Sequence, residues 1–560
     1  MSIRTINFCI LLGAVLIAFV GLLLLVSSAL FVAGVSLSWL QVPLAIIIAV
    51  GFAWWGVNVY FPANRRRAFG WVIGISLGAV IGFVLLCGLF YDVSWDGQTY
   101  HAEAIVALAK GWNPFRTPSP DGAIFPLFMN FFAKGPWILS AALFKFTGNY
   151  EQGKAFHLIL MLACGLTALG AFSSFRTLSR KQVVTLSLLL AFNPISIYQM
   201  LTFYVDGQLS SLLMITVCLL ILIYRHPDRF RLVTLALVAI LVINVKLSGG
   251  LYFAFIVGGY VLWYFIARKK KRVELVLWLA VGCLVGGVFV GYSPYVSQFA
   301  TNLLKRGDPL YPTNWQSLIV IEYNSPPNFI TMGRWEKLFA SFFSVSDAPP
   351  RDSQFKFPLT VTLKEIEAFG APDTRIGGFG PLFGAAILMM LALFARLRWA
   401  YREQLKYQAV ILVLTAFILI SALSNSEAWW ARYVPQFWLA PVLVAFMGFY
   451  IIRRDCWRVL TYTLIVTLCI NNAIIFFAYT ASTVGSSVIV AQQLASLKAT
   501  TDSNGPLTEQ LNSFIGTRYR FDRYGIRYTE VDQLPCPENE RIQAASSQML
   551  MCIKKDIKKE

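Results

Sequence analysis

The chain has 560 residues, with 47 Lys and Arg against 28 Asp and Glu, a net charge of +19 and a mean hydropathy of +0.63. Hydrophobic residues make up 57% and charged residues 13%, about half the charge of a soluble globular chain. An array of soluble domains, a disordered chain, a collagen and a disulfide scaffold are excluded, which leaves a polytopic membrane protein. The basic excess lies in short clusters between apolar runs, where it holds loops in the cytoplasm; nucleic acid is not implied.

Apolar runs of about 18 residues or more cross a hydrocarbon core ~30 Å thick. Thirteen are read in chain order: 6–31, 38–60, 69–90, 155–175, 182–200, 206–224, 231–247, 249–267, 273–292, 377–397, 406–424, 435–452 and 458–479. The first follows Arg4, lacks a clean cleavage site and reads as an uncleaved anchor. Residues 124–146 are apolar too, but Lys134-Gly135-Pro136 interrupts them, which fits an interfacial or re-entrant helix. With the N-terminus inside, every second loop is basic, from Arg65-Arg66-Arg67 through Arg268-Lys269-Lys270-Lys271-Arg272 to Arg453, Arg454 and Arg458. The expected fold class is an all-α polytopic membrane protein of about 13 transmembrane helices. A membrane domain, 1–479, carries outer loops at 91–154 and 293–376, and 480–560 forms a small extracytoplasmic C-terminal domain. Of nine Cys, only Cys536 and Cys552 lie in that tail, where oxidising conditions favour a disulfide.

Three His, no Gly-rich phosphate loop and no zinc-like spacing leave a Ser-His-Asp hydrolase, an ATP-driven pump and a zinc enzyme without support. The acids are more informative. Asp92 and Asp96 follow directly on the third span, and Asp206 opens the sixth at the same boundary. An ionisable group at a span end is a functional candidate, although such carboxylates are also commonly just solvated, and Asp96-Gly97 is an ordinary turn dipeptide.

Trp95-Asp96-Gly97-Gln98-Thr99-Tyr100 runs on through His101, Glu103 and Lys110-Gly111-Trp112-Asn113-Pro114. It resembles the first outer loop of the glycosyltransferase-C superfamily, where W-D-E-x-x-Y-x-x-x-A introduces a helix lying along the membrane. The likeness is greatest to the branch of lipid A aminoarabinose transferases and protein O-mannosyltransferases. Lys134-Gly135-Pro136-Trp137 is similar to that branch's K-P-P segment. Phe146-x-Gly148-x-x-Glu151-x-x-Lys154 is similar to the stretch before its next span, with Lys in place of Arg. Asn193-Pro194 with Asp206 twelve residues beyond the proline resembles its P…D element, and Ala431-Arg432-Tyr433-Val434-Pro435 its late R-Y-x-x-P element. The resemblance is good over 91–224, loose over the other spans and absent from the tail. Two spans before the motif are extra. Gly97 stands where the family has a second acid; if that acid binds metal, Asp92 or Glu103 substitutes for it, or no metal is used.

The resemblance implies a GT-C-like enzyme of the cell inner membrane that transfers a sugar from a polyprenyl-phosphate donor on the extracytoplasmic face. Its partners would be that donor, membrane lipids, and a glycan, lipid or protein acceptor of the envelope. No cofactor is required, and a divalent metal at Asp92 and Asp96 stays open. Attack by an acceptor hydroxyl passes through an oxocarbenium-like state and releases a proton. Asp96 is assigned as base and Asp206 as the orienting acid, in an inverting single displacement. Lys134, Lys246 and Arg432 are candidates for the departing phosphate, although Lys246 equally reads as a lysine snorkelling to the interface. Tyr100 and Glu103 count as substrate-binding. Lys305-Arg306-Gly307-Asp308-Pro309-Leu310-Tyr311-Pro312 resembles a segment of related bacterial membrane glycosyltransferases and offers Tyr311 to a sugar or phosphate; an ordinary turn is the alternative. A lipid-linked sugar flippase, or a polysaccharide polymerase or ligase using Arg334, Arg351 and Arg375, are the competing functions.

Overall fold

The computed structural model describes residues 2–268, 273–290, 302–305, 307, 323–406, 408–453, 455–510 and 513–552. The first loop is entered from three long helices, α1 (Ile3–Val32), α2 (Gln41–Tyr60) and α3 (Arg65–Cys87). Ser2 starts α1 by accepting from the Thr5 amide at 3.2 Å, and the middle of α1 is buried at the bundle centre. Helix α3 is apolar yet mostly exposed, with Trp71 and Leu85 uncovered, as a helix facing hydrocarbon chains must be. The loop then forms α4 (Ala102–Ala109), α5 (Pro126–Phe131) and α6 (Gly135–Thr147). The apolar stretch 124–146 is thus two short pieces; at 1.5 Å per residue neither crosses ~30 Å.

Next come α7 (Ala155–Ser173), α8 (Arg180–Ala191), α9 (Pro194–Gln199), α10 (Asp206–Arg225), α11 (Arg229–Val245), α12 (Leu247–Arg268) and α13 (Val273–Leu284). After two short helices, α14 (Arg334–Phe343) and α15 (Leu363–Ala368), the bundle resumes with α16 (Phe383–Ala400), α17 (Arg402–Lys406), α18 (Ala409–Leu423) and α19 (Leu439–Ile451). It ends in α20 (Trp457–Asn504). Among the described residues, eight helices are long and apolar enough to cross a membrane, against the thirteen runs read from sequence. The run 182–200 is broken because Pro194 has no N–H to continue α8. Asn193 instead caps α9, accepting from the Ser196 amide at 3.0 Å. The run at 231–247 corresponds to the 17-residue α11, the runs at 406–424 and 435–452 to shorter apolar helices, as does the described part of 273–292, whose residues 291 and 292 lie outside the described residues.

The tail departs from an all-α reading. Helix α20 runs 48 residues without a break, so the boundary expected at 479/480 falls inside it. Beyond it a four-stranded sheet forms from β1 (Leu507–Gln510), β2 (Tyr528–Val531), β3 (Ile542–Gln543) and β4 (Leu550–Cys552), in the order β2-β1-β4-β3. Helix α21 (Ile515–Tyr524) connects the parallel pair β1 and β2. Strands of two to four residues are too short to show a period of two, so the sequence carries no signal for them. Val490, Leu494, Leu497, Phe521, Ile526 and Met551 form a separate small core. Cys536 and Cys552 are joined in a disulfide, as expected from the sequence.

The chain turns place two polar layers at opposite ends of the bundle. At one end basic loops meet: Tyr60 donates to Asp228 at 3.0 Å, and Arg396 pairs with Asp455 at 3.0 Å. At the other end lie the start of α10, the end of α11, the loop before α16 and the turn before α19.

Candidate functional site

The first loop is held in place before it reaches Asp96. Asp92 accepts from the Ser94 amide at 2.8 Å and from the Phe203 amide at 2.6 Å, tying the loop to the connection between α9 and α10. Gly97 follows from this staple. A Cβ at 97 would lie 2.0 Å from Asp92 Oδ2 and 2.5 Å from Ser94 Oγ, so an acid there has no room. The chain then makes a π-type turn, Gly97–His101, a distortion that often marks functional positions. It brings the Tyr100 hydroxyl back to donate to Asp96 Oδ2 at 3.1 Å. The Tyr100 ring stacks on Phe128 at 4.7 Å. His101 accepts from Trp137 Nε1 at 2.6 Å; burial lowers its pKa to about 3, so it is a neutral support.

Asp206 is the first residue of α10. Its Oδ1 pairs with Lys246 at 2.6 Å, and its Oδ2 accepts from Gln199 Nε2 at 3.4 Å. Gln199 is itself fixed, accepting from the Gly207 amide at 2.8 Å.

Arg432 sits in the single turn Ala431–Tyr433 and joins the two acids. Its Nη1 lies 3.5 Å from Asp96 and 3.8 Å from Asp206, while its Nε lies 3.2 Å from Asp373. The guanidinium is flanked by the rings of Trp430, Tyr204 and Tyr433 at 4.6, 5.4 and 5.4 Å. Three carboxylates, Asp96, Asp206 and Asp373, thus meet at Arg432, with Lys246 also on Asp206 and Arg375 also on Asp373. Burial holds the Asp96 carboxyl above the ordinary carboxylate range, against the lowering pull of Arg432. Asp96 keeps a solvent-reachable edge, its side chain 17% exposed against 2% for Asp206.

Of the residues singled out from sequence, Asp96, Asp206, Lys246, Arg432 and Tyr100 come together. Lys134 is buried and donates to the carbonyls of Asn130 at 3.2 Å and Phe132 at 2.9 Å. Burial lowers its pKa to about 7. The next residue, Gly135, packs against the Asn244 carbonyl two residues before Lys246. Glu103 serves another purpose: its two oxygens accept from the amides of Ile124 at 2.6 Å and Phe125 at 2.8 Å. It shapes the loop rather than binding substrate. Asp92 likewise spends both oxygens on backbone amides and does not form a pair with Asp96 around a metal. Among the described residues no group of three His, Cys, Asp or Glu is spaced to hold a metal ion. Tyr311 lies outside the described residues.

Asp373 went unnoticed in the sequence. It accepts from Trp430 Nε1 at 2.8 Å, and Arg375 braces it at 3.7 Å. An acid in a polar loop carries no distinguishing local pattern, and the only hint was its neighbour Arg375.

No family model matches the sequence, and no curated protein matches it. A solved structure, ArnT from Cupriavidus metallidurans bound to undecaprenyl phosphate, is similar over 83% of this chain and 86% of that chain, at 12% identity and a TM-score of 0.42.

Proposed function

We propose that the chain is an integral membrane glycosyltransferase that moves a sugar from a polyprenyl-phosphate carrier to a glycan, lipid or protein acceptor. In this reading it sits in the cell inner membrane with its site on the extracytoplasmic face, where the carrier's phosphate and sugar lie at the headgroup level. The observation that carries the reading is that Asp96 and Asp206, far apart in the chain, both reach one nitrogen of Arg432.

The two acids divide the work according to their surroundings. Asp96 has an open edge and a raised pKa, which brings its basicity closer to the working pH. It takes the proton from the acceptor hydroxyl as that oxygen attacks the anomeric carbon. Asp206 is buried, held on one side by Lys246 and on the other by Gln199; it orients substrate hydroxyls. The carbon–oxygen bond to phosphate breaks on the opposite face, which inverts the anomeric centre. The candidate cations for the departing phosphate are Arg432, Lys246 and Lys134, the last with its ammonium buried against carbonyls only. An anion there would stabilise the charged form that burial disfavours.

The test is mass spectrometry of envelope glycans from cells carrying the wild-type or the Asp96→Asn chain at matched membrane levels. Loss of one glycan modification is expected. Undiminished modification by Asp96→Asn would remove the proposed base. A flippase would move a labelled polyprenyl-phosphate sugar between leaflets with no product. A polymerase using loop arginines would lose more activity with Arg375→Ala than with Asp96→Asn.

A further inference from the structure

The tail domain reaches into the loop that carries Asp96. Arg520, on α21, is buried, and its Nε and Nη2 donate to Glu151 Oε1 at 2.8 and 2.6 Å. The same Nη2 donates to the backbone carbonyl of Asp92 at 2.7 Å. The other oxygen of Glu151 accepts from Lys154 Nζ at 2.6 Å and from the Asp92 amide at 3.2 Å. Lys154 Nζ also donates to the Phe90 carbonyl at 2.5 Å. One turn earlier on α21, the Thr517 hydroxyl donates to Gln98 Oε1 at 3.1 Å, and the Gln98 amide nitrogen donates to the Asp92 carbonyl. Both the N–H and the C=O of Asp92 are therefore held by this network, four residues before Asp96.

We infer that Arg520 is a positioning residue: through Glu151 and the Asp92 backbone, the tail domain sets the placement of Asp96 against Arg432. The inference rests on Asp96 being the base. A guanidinium suits the task because its planar fork serves two acceptors in different directions, whereas an ammonium presents a point charge. Without Arg520, Glu151 is still neutralised by Lys154, so no buried charge is stranded and the chain can fold. What is lost is one of the two donors to the Asp92 carbonyl, Gln98 being the other, and with it the tail's direct hold on the loop backbone.

The experiment uses the full chain in membrane vesicles supplied with total polyprenyl-phosphate lipid extract at rising concentration, so that maximal rate and half-saturation are read separately. Arg520→Met is expected to lower the maximal rate about 10²-fold, the scale for misplacing a catalytic group by an ångström, with half-saturation changed by less than about twofold. Arg520→Lys, which keeps the charge opposite Glu151, should recover about tenfold of that loss. Lys498→Ala, which removes an exposed pair with Asp502 in the tail, should behave as wild type. Hydrogen exchange over 91–101 gives a second, activity-independent measure and should quicken in Arg520→Met alone. A full maximal rate, or unchanged exchange over 91–101, in folded Arg520→Met overturns the inference. Activity surviving in Asp96→Asn would instead overturn the functional reading and leave the exchange result to decide the clamp.

Discussion

Replacing Arg432 by lysine tests the site most sharply, because it keeps the charge and removes the geometry. At an effective dielectric of ~20, each contact of 3.2–3.8 Å between Arg432 and its three acids is worth about 4–5 kcal/mol before desolvation. Most of that is offset by taking the charges out of water. A lysine ammonium retains part of the attraction to Asp96 and Asp206. It cannot also stand at the Nε position facing Asp373, and it loses the planar stack on Trp430. The net loss is that of one close ion-pair contact and a desolvated cation–π contact, about 2 kcal/mol. If felt fully in the transition state, this lowers the maximal rate about 10- to 100-fold. Arg432→Met goes further and removes the cation shared by the three acids, leaving only Lys246 on Asp206 and Arg375 on Asp373, a destabilisation of about 3–5 kcal/mol. Adding Asp373→Asn to Arg432→Met removes one surplus anion, so thermal stability partly returns while transfer does not. The assay is glycan transfer in vesicles beside thermal unfolding of the purified chain. Full activity in Arg432→Lys, or no stability recovery in the double variant, would refute the view that this guanidinium organises the acids.

Further outcomes follow from the structure. The acid limb of the rate profile should lie above the ordinary carboxylate range, because Asp96 must be ionised to accept a proton and its pKa is raised. Asp373→Asn removes a like charge that pushes Asp96 up, so the limb should move to lower pH. Donor binding, measured with undecaprenyl phosphate, should weaken as pH rises through about 7, where Lys134 loses its charge, and Lys134→Met should flatten that dependence. Gly97→Ala should destabilise the chain by about 1–3 kcal/mol, since its Cβ would lie 2.0 Å from Asp92 Oδ2; a neutral thermal shift would contradict the packing. In the tail, burial raises the Glu509 pKa to about 7, with Arg518 opposing and Glu530 and Asp522 adding to the rise. The folded form therefore holds this proton more tightly than the unfolded one. Tail stability should fall as pH climbs from about 4.5 towards 7, and Glu509→Gln should remove that slope in exchange protection.

The sequence by itself determined what depends on neighbours along the chain. Long apolar runs became long helices, Pro194 broke one of them, and Lys134-Gly135-Pro136 kept 124–146 from forming a single span. The pairing of Cys536 with Cys552 and the meeting of Asp96, Asp206 and Arg432 were also legible, because span parity assigns each helix end to one side of the bundle. Parity gives depth, however, not direction within a layer. Only the tertiary structure decided that Asp92 and Glu103 spend their carboxylates on backbone amides, that Asp373 enters the cluster, and that Arg520 crosses from the tail to Glu151, 369 residues away. These are choices between equally polar side chains at one level. They are made by which backbone amides and charges lie within about 3 Å, a distance that no local pattern in the chain encodes.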